Sequence, residues 1–266
     1  MKLISRLKDE QRPLICFDHG LGDFCNWLPV YKEIVKQTGR RIELGVRSKR
    51  QFHLIYPNLV LTDKIDVKPR YSFIYNVRYR ETEDALSKPY ECAFNEFGLS
   101  DFIWEPHFFK HAVNNLESKR VGVNFFGITG SKGKVKFCPK GVPEKIWYGL
   151  EDAGFEPFEI YQRVSFIRDY YSNCDVPDNF SLANEQNSLR YREPNLKMLY
   201  DEIGKCKYVL STDSGTLYLA LCVLGMGSVI GLENEKQINK YLPKPIDIID
   251  VANYKEEAIN IILSKG

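Results

Sequence analysis

The chain alternates short apolar runs with longer segments of helical periodicity, and this alternation constrains its fold more than any other feature. Apolar runs at residues 13–18 and 41–46 flank a helix-period segment at 24–37, which predicts a βαβ unit. The same alternation of apolar runs and helix-period segments begins again at residue 119. We therefore predict an α/β protein with two Rossmann-like parallel-sheet domains, 1–118 and 119–266, facing each other across a cleft. A single doubly wound domain is the alternative.

The second half carries the clearer pattern. We predict strands and helices there at residues 119–126, 143–153, 156–161, 195–206, 208–212, 214–224, 228–232 and 256–264. In open α/β sheets, ligands bind beyond the carboxyl ends of the strands. The turns after residues 18, 126 and 212 are rich in glycine, hydroxyl and charged residues, so we expect them to converge on one site.

Composition excludes several classes of protein. The 266 residues are 44% hydrophobic and 27% charged, which is typical of a globular protein rather than a disordered one. The net charge of +2 gives no overall field that would attract a polyanion. Seven cysteines without a CxxC pair indicate reduced thiols, and no export signal or membrane-spanning segment is evident, so we expect a cytoplasmic protein.

The first turn, residues 18–23 (DHGLGD), lies between a predicted strand and a predicted helix. Its glycines would let the backbone approach a ligand closely. A dinucleotide-binding GxGxxG pattern would need glycine at position 25, where this chain has Cys25, so NAD binding is disfavoured. Asp23 stands at the helix start, where a helix cap or a partner for the helix dipole is the ordinary role of aspartate.

The second turn, residues 127–136, contains glycines and lysines as phosphate-binding loops do. The Walker A pattern needs Ser or Thr after Gly-Lys, but Val135 stands there, so a P-loop ATPase is disfavoured. The remaining hypothesis is a loop whose backbone N–H groups and whose Lys132, Lys134 and Lys136 bind a diphosphate. A solvated charged hairpin is the alternative.

The third turn, Asp213-Ser214-Gly215-Thr216, follows an apolar strand and opens an apolar helix. Its hydroxyl and N–H groups would lie at the positive end of that helix, where anions bind. Simple capping of the helix by Asp213 or Ser214 is the alternative.

We predict no metal site. His107 and His111 have helical spacing but no evident third ligand, and the chain has no DxD pair of carboxylates for a divalent ion.

Taken in order, the three turns resemble the heptosyltransferase family (glycosyltransferase family nine), whose members have two Rossmann-like domains in the GT-B arrangement. The family opens with Gly-Asp before a helix that begins near Leu-Pro, and Gly22-Asp23 and Leu28-Pro29 match that pattern. Its second domain begins with a strand, a small-residue loop and a basic-aromatic-Pro segment, which residues 121–130 and 136–139 resemble.

The last part of the resemblance is the most specific. The family has a strand followed by Asp-[Ser/Thr]-Gly and a helix usually reading His-Leu-Ala. Residues 209–220 (VLSTDSGTLYLA) match it, with Tyr218 in place of the usual histidine. The basic-aromatic-Pro segment is altered to Lys-Phe-Cys-Pro, and the chain is shorter than typical members.

The resemblance implies a metal-independent, inverting glycosyltransferase without a resident cofactor, which transfers a sugar from a nucleotide-sugar donor to an acceptor hydroxyl. Residues 1–118 would form the acceptor-side domain and 119–266 the nucleotide-sugar-binding domain. Asp23 would be the general base, and His19 and Arg47 would lie on the acceptor side. The donor-binding residues would be Gly22, Gly130, Ser131, Lys132, Lys134, Lys136, Asp213, Ser214, Gly215 and Thr216.

Three matters stay open at this stage. The acceptor is a saccharide or lipopolysaccharide-like molecule, or a hydroxylated base in DNA. Other functions on the same fold are a nucleotide-sugar epimerase and a non-catalytic nucleotide-sugar-binding protein. The sugar, the nucleotide and the oligomeric state are not specified by these motifs.

Overall fold

A computed structural model shows two compact units, Met1–Glu105 and Pro106–Gly266. It describes residues 3–47, 49–62, 70–77, 80–81, 86–87, 96–99, 102–109, 117–129, 134–160, 186–189, 195–233, 238, 242, 244–255 and 259–265.

The first unit is built on a four-stranded parallel sheet in the order β3-β2-β1-β4. Its elements are helix α1 (Leu3–Asp9), strand β1 (Pro13–Cys16), α2 (Leu21–Thr38), β2 (Glu43–Val46), α3 (Phe52–Ile55), β3 (Val60–Leu61), β4 (Phe73–Asn76), β5 (Arg80–Glu81) and β6 (Leu86–Ser87). Helix α2 buries an apolar face that includes Phe24, Trp27 and Leu28. The predicted βαβ unit is confirmed as β1-α2-β2.

The second unit is built on a five-stranded parallel sheet in the order β10-β7-β11-β12-β13. Its elements are β7 (Arg120–Asn124), β8 (Phe126–Thr129), β9 (Lys134–Phe137), α4 (Val142–Asp152), β10 (Glu156–Glu159), α5 (Leu196–Gly204), β11 (Tyr208–Thr212), α6 (Gly215–Leu224), a 3₁₀ turn (Met226–Ser228), β12 (Val229–Glu233), β13 (Asp247–Asp250) and α7 (Asn260–Leu263). The prediction of two parallel-sheet α/β domains is confirmed.

The packing of the second sheet explains the apolar pattern of its strands. Strand β11 is buried along its whole length, as is β12, because each lies inside the sheet. Buried parallel strands read as continuous apolar runs. One face of the sheet packs against α4, whose Ile146, Trp147 and Leu150 belong to the core. Helix α6 is buried around most of its circumference, which accounts for the uncharged stretch there.

The structure differs from the sequence-based prediction at the glycine- and lysine-rich segment. We predicted a loop at 127–136 with a charged hairpin as the alternative, and β8 and β9 pair there as an antiparallel hairpin. The sequence of these strands alternates apolar residues with glycine, threonine or lysine, which is the pattern of a strand with two different faces. Lys134 and Lys136 therefore belong to a strand, and only residues 130–133, which the structure does not describe, separate β8 from β9.

Candidate functional site

The carboxyl edge of the second sheet is lined by polar residues. All of its strands end on one, in the spatial order Glu159, Asn124, Thr212, Glu233 and Asp250. Alternate residues along the same strands, such as Val123, Leu210 and Leu232, belong to the apolar core. Because ligands of open α/β sheets bind at the carboxyl edge, this edge is the candidate site of the second unit.

Ser214 is the N-cap residue of α6, but its side chain makes no capping hydrogen bond within the described residues. Its Oγ instead lies 3.0 Å from Asn124 Nδ2, which donates to it, and 3.2 Å from Ser211 Oγ. This network is buried and directs the serine hydroxyl into the sheet. The predicted alternative of side-chain capping by Ser214 is therefore wrong. In the first turn of α6 the N–H of Leu217 bonds to the backbone oxygen of Ser214 at 3.0 Å, and among the described residues the N–H groups left for another acceptor are those of Gly215 and Thr216.

Two buried hydroxyl groups flank the same turn. Thr212 Oγ1 and Thr216 Oγ1 are both buried, and neither has a hydrogen-bond partner among the described residues. A buried hydroxyl without a partner costs about 1–3 kcal/mol, so such groups usually have a ligand or water as partner. The N-terminus of α6 therefore combines N–H groups, a favourable helix dipole and two unpartnered hydroxyls, which together suit an anion.

Gly127 brings the β8–β9 hairpin against this turn. A Cβ atom on Gly127 would lie 2.9 Å from the backbone oxygen of Asp213 and 3.1 Å from both Ser214 Cβ and Thr212 Oγ1. No side chain fits in that space, so only glycine permits this close approach. Lys136 pairs with Gly127 across the hairpin, so the backbone of the lysine-bearing strand is one strand away from the turn.

Asp213 has a direct partner within its own turn and helix. The Tyr218 hydroxyl donates a hydrogen bond to Asp213 Oδ1 at 2.8 Å. Tyr218 is buried on α6, and Asp213 is half-buried at the end of β11. Tyr218, which stands where the family pattern described above usually has histidine, thus contacts Asp213 of the same motif.

The first unit holds the predicted catalytic residue. Asp23 is half-buried and is the third residue of α2, while Gly20 is the N-cap residue. The interpretation of Asp23 as the cap is therefore wrong, because the helix begins at Leu21, earlier than the periodicity indicates. A carboxylate in the first turn still interacts favourably with the helix dipole. Gly22 precedes it in the same turn.

His19 and Arg47 follow the carboxyl ends of β1 and β2, which are neighbours in the first sheet. His19 Nε2 lies 2.9 Å from the backbone oxygen of Val77, and its ring meets Phe17 edge-on at 5.1 Å. Arg47 is exposed. Burial raises the pKa of Cys16 to about 11, against the opposing charge of Arg47, so this thiol is not a nucleophile at neutral pH.

The remaining predicted residues are distributed as follows. Asp213, Ser214, Gly215 and Thr216 come together at the start of α6 as expected. Lys134 and Lys136 lie in β9, and Gly130, Ser131 and Lys132 lie outside the described residues. The convergence of the turns near residues 23, 130 and 213 stays a prediction.

Within the part of the chain that the structure describes, no group of three or more histidine, cysteine, aspartate or glutamate residues could hold a metal ion. His107 is exposed and lies against Gly225, and His111 lies outside the described residues. Over the same ranges, none of the helices combines the length and the apolar character needed to cross a bilayer.

Sequence reasoning missed three residues of this site. Asn124 and Thr212 were read only as parts of strands, and Gly127 only as part of a loop. Their common signal is position: Asn124 and Thr212 end strands that are neighbours in the sheet, and Gly127 begins the polar segment after one of them. Their partnership becomes visible only when the strand order is known.

At the sequence level, no protein-family model matches the chain and no curated protein matches it significantly. Solved structures do match. The E. coli ADP-heptose LPS heptosyltransferase II has a TM-score of 0.64 and 11% identity, over 96% of this chain and 98% of that one. E. coli heptosyltransferase WaaC with ADP-2-deoxy-2-fluoro heptose has a TM-score of 0.59 and 11% identity, over 96% and 99%.

A glycosyltransferase of family nine from Veillonella parvula has a TM-score of 0.56 and 12% identity, over 96% of this chain and 89% of that one. At these identities the likeness concerns the fold. It extends over nearly the whole chain, so both parallel-sheet units have counterparts in the same solved structures. The fold of this chain is that of the GT-B heptosyltransferases.

Proposed function

We propose that this chain is a glycosyltransferase that uses a nucleotide-sugar donor. The observation that supports this most is the start of α6. There the Ser214 side chain bonds to Asn124 instead of capping the helix, and two buried hydroxyls have no partner in the part of the chain that the structure describes. Such a helix start suits the diphosphate of a nucleotide sugar. The proposal also draws on the fold, because the WaaC structure contains an ADP-sugar and heptosyltransferase II is named for ADP-heptose.

In this proposal the second unit binds the donor. The N–H groups of Gly215 and Thr216, together with the hydroxyls of Thr212 and Thr216, hydrogen-bond to the diphosphate oxygens. Lys134 and Lys136, with Lys132 of the neighbouring segment, supply positive charge. These groups stabilise the negative charge that develops on the departing nucleoside diphosphate. Their charge and hydrogen bonds serve in place of a metal ion, so we propose a metal-independent reaction.

The first unit supplies the general base. Asp23 takes the proton of the acceptor hydroxyl as that oxygen attacks the anomeric carbon of the donor sugar. The new bond joins the acceptor oxygen to the anomeric carbon, the bond from that carbon to the diphosphate oxygen breaks, and the nucleoside diphosphate leaves with the electron pair. Attack opposite the leaving group inverts the anomeric configuration.

The proposed acceptor is a saccharide hydroxyl, in line with the name of the lipopolysaccharide heptosyltransferase among the similar structures. Arg47 and His19 follow adjacent strands in the first unit, on the side where Asp23 opens α2. An exposed guanidinium there suits an acceptor that carries a carboxylate or phosphate group.

The proposal is tested in two steps. First, thermal shift with ADP, GDP, UDP and nucleotide sugars of each identifies the donor, because a ligand that binds only the native state raises Tm. Next, transfer from that donor is measured with saccharide and hydroxylated-DNA acceptors, with and without EDTA. We expect acceptor-dependent release of nucleoside diphosphate that EDTA does not abolish.

Three other results would contradict this proposal. Loss of activity in EDTA with recovery on adding a metal would overturn the metal-independent mechanism. Release of a free epimerised sugar without any acceptor would indicate an epimerase. Binding of a nucleotide sugar with no turnover on any acceptor would indicate a binding protein.

A further inference from the structure

The His19 side chain binds the turn that leads to Asp23 to the first sheet. His19 Nε2 lies 2.9 Å from the backbone oxygen of Val77, 58 residues further along the chain. A carbonyl oxygen only accepts hydrogen bonds, so Nε2 carries the hydrogen and donates it. Val77 directly follows β4, and its own N–H donates to the backbone oxygen of Cys16 at 2.9 Å. The histidine therefore joins the turn after β1 to the end of the neighbouring strand β4.

The carboxylate of Asp23 lies close to this connection. His19 is joined to α2 through Gly20, the N-cap residue, which as a glycine provides no side-chain hydrogen bond to the helix. Glycine also has more backbone freedom than any other residue type. A Cβ atom on Gly20 would lie 3.7 Å from Asp23 Oδ2, so the carboxylate is next to the residue that directly follows His19. A movement of the turn at His19 would therefore displace the carboxylate.

The imidazole ring of His19 is also held by packing. It meets Phe17 edge-on at 5.1 Å, and Phe17 meets Phe24 of α2 at 5.7 Å. Phe17 is fully buried, and its N–H donates to the backbone oxygen of Gly45 in β2 at 2.8 Å. The ring thus rests on a residue that both the core and a neighbouring strand hold in place, and its bond to Val77 has a defined geometry.

We propose that His19 is a positioning residue for the general base. By donating to the Val77 carbonyl, it fixes the turn, and with it the carboxylate of Asp23, at the carboxyl edge of the first sheet. This inference rests on the proposed function, in which Asp23 takes the proton of the acceptor hydroxyl. A general base must lie within hydrogen-bond distance of that proton, and a displacement of about 1 Å is enough to lower the rate about 10²-fold. His19 itself transfers no proton in this role.

The test compares two substitutions of His19. The amide N–H of His19→Gln lies near the position of Nε2 and retains the bond to Val77, whereas the shorter side chain of His19→Asn does not reach the carbonyl. We expect His19→Asn to lower kcat about 10–100-fold with KM for the donor within about twofold, and His19→Gln to keep kcat within about threefold of the wild type.

The rate measured is that of nucleoside diphosphate release. The donors are ADP-heptose, ADP-glucose, UDP-glucose and GDP-mannose, and the acceptors are deacylated lipopolysaccharide, methyl glucoside and methyl galactoside. The combination that the wild type uses fastest serves for all variants. Urea unfolding of each variant confirms that the measured rate belongs to folded protein.

A double-mutant cycle shows whether His19 acts through Asp23. In the Asp23→Asn background the base is absent, so His19→Asn should lower kcat by less than about a further twofold. A general structural role would lower kcat by the same factor in both backgrounds. Thr62→Val is the matched control, because Thr62 Oγ1 donates to the backbone oxygen of Val46 at 3.2 Å, after β3, which β2 separates from β1. It should leave kcat within about twofold of the wild type.

A normal kcat for His19→Asn would overturn the inference. Equal losses in His19→Gln and His19→Asn would also overturn it, because the imidazole itself would then be needed, and so would an additive effect in the double variant. If His19→Asn does not fold, the inference requires a hydrogen on Nε2 in the ¹⁵N NMR spectrum of the wild type and a retained kcat in His19→Gln, and failure of either overturns it. A wild type that releases nucleoside diphosphate with none of these donors and acceptors would instead contradict the proposed function, so the two failures are distinguishable.

Discussion

Asn124 Nδ2 donates a hydrogen bond to Ser214 Oγ at 3.0 Å, across ninety residues of sequence. Asn124 ends β7, and Ser214 is the N-cap residue of the helix that follows the neighbouring strand β11. The Asn124 side chain therefore determines the orientation of the Ser214 hydroxyl at the start of α6. The Ser214 side chain therefore does not cap the helix, and the N–H groups of Gly215 and Thr216 remain for a ligand.

We predict that Asn124→Ala lowers both stability and nucleoside diphosphate affinity. The change leaves the buried hydroxyls of Ser211 and Ser214 without their amide donor, which costs about 1–3 kcal/mol in the free energy of unfolding. Ser214 can then rotate and cap α6, in competition with the ligand. Urea unfolding and calorimetry with the best-bound nucleoside diphosphate measure the two effects.

The control for Asn124→Ala is Asn253→Ala, because Asn253 is an exposed asparagine of the same unit whose amide bonds to Asp250. Its effect on the free energy of unfolding should be within about 0.5 kcal/mol. If Asn124→Ala loses stability but keeps full affinity, the orientation of Ser214 has no bearing on ligand binding.

We predict that Gly127→Ala weakens nucleoside diphosphate binding at least about tenfold. The added Cβ would lie 2.9 Å from the backbone oxygen of Asp213, so the hairpin must move away from the turn at the start of α6. Gly227→Ala is the matched control, since a Cβ there meets no described residue within 4 Å. Calorimetry compares the two variants. Similar affinities would mean that the hairpin is not part of the binding site.

We predict that Asp23→Asn reduces kcat by about 10²–10⁴, the usual contribution of a general base. Nucleoside diphosphate affinity should stay within about twofold of the wild type, because the proposed diphosphate ligands belong to the other unit. Loss of one first-turn carboxylate costs at most about 1 kcal/mol in stability. Steady-state kinetics and thermal unfolding provide the measurements. A variant that retains normal turnover would remove Asp23 from the proposed role.

We predict that the stabilising effect of Glu202 depends on pH. Burial raises the pKa of Glu202, but a hydrogen bond from Lys205 and the nearby charge of Arg120 oppose this, and the net result is a lowered pKa. A carboxyl with a lowered folded-state pKa stabilises the fold above its unfolded value of about 4.3, and loses this contribution as the pH falls through the folded value. Glu202→Gln should therefore cost about 1–3 kcal/mol at neutral pH and much less near pH 3.

Urea unfolding at the two pH values measures this difference. The control is Asp201→Asn, because Asp201 is an exposed neighbour that pairs with Lys197 on the helix surface. Its cost should stay below about 1 kcal/mol at both pH values. A pH-independent cost for Glu202→Gln would show that packing, rather than the ion pair with Arg120, accounts for its effect.

The periodicity of the sequence predicted most of the regular elements to within a few residues. Strand β11 was predicted with its observed bounds, and α6 to within one residue. Such elements can be predicted from local sequence. The periods of strands and helices follow from their own backbone geometry, which does not depend on distant residues. At Gly127 a loop was preferred to its hairpin alternative because of the glycine and lysine content, although the alternation of apolar residues indicated the strands that the structure shows.

The sequence by itself determined the alternation of strands and helices, and the polar turns that follow the strands at residues 18, 126 and 212. Only the tertiary structure decided which side chains meet there. Parallel pairing of β7 with β11 places Asn124 opposite Ser211, and the packing of the hairpin brings Gly127 against Asp213. These contacts depend on strand order and register, which the interactions of the whole sheet determine and no local pattern of residues encodes.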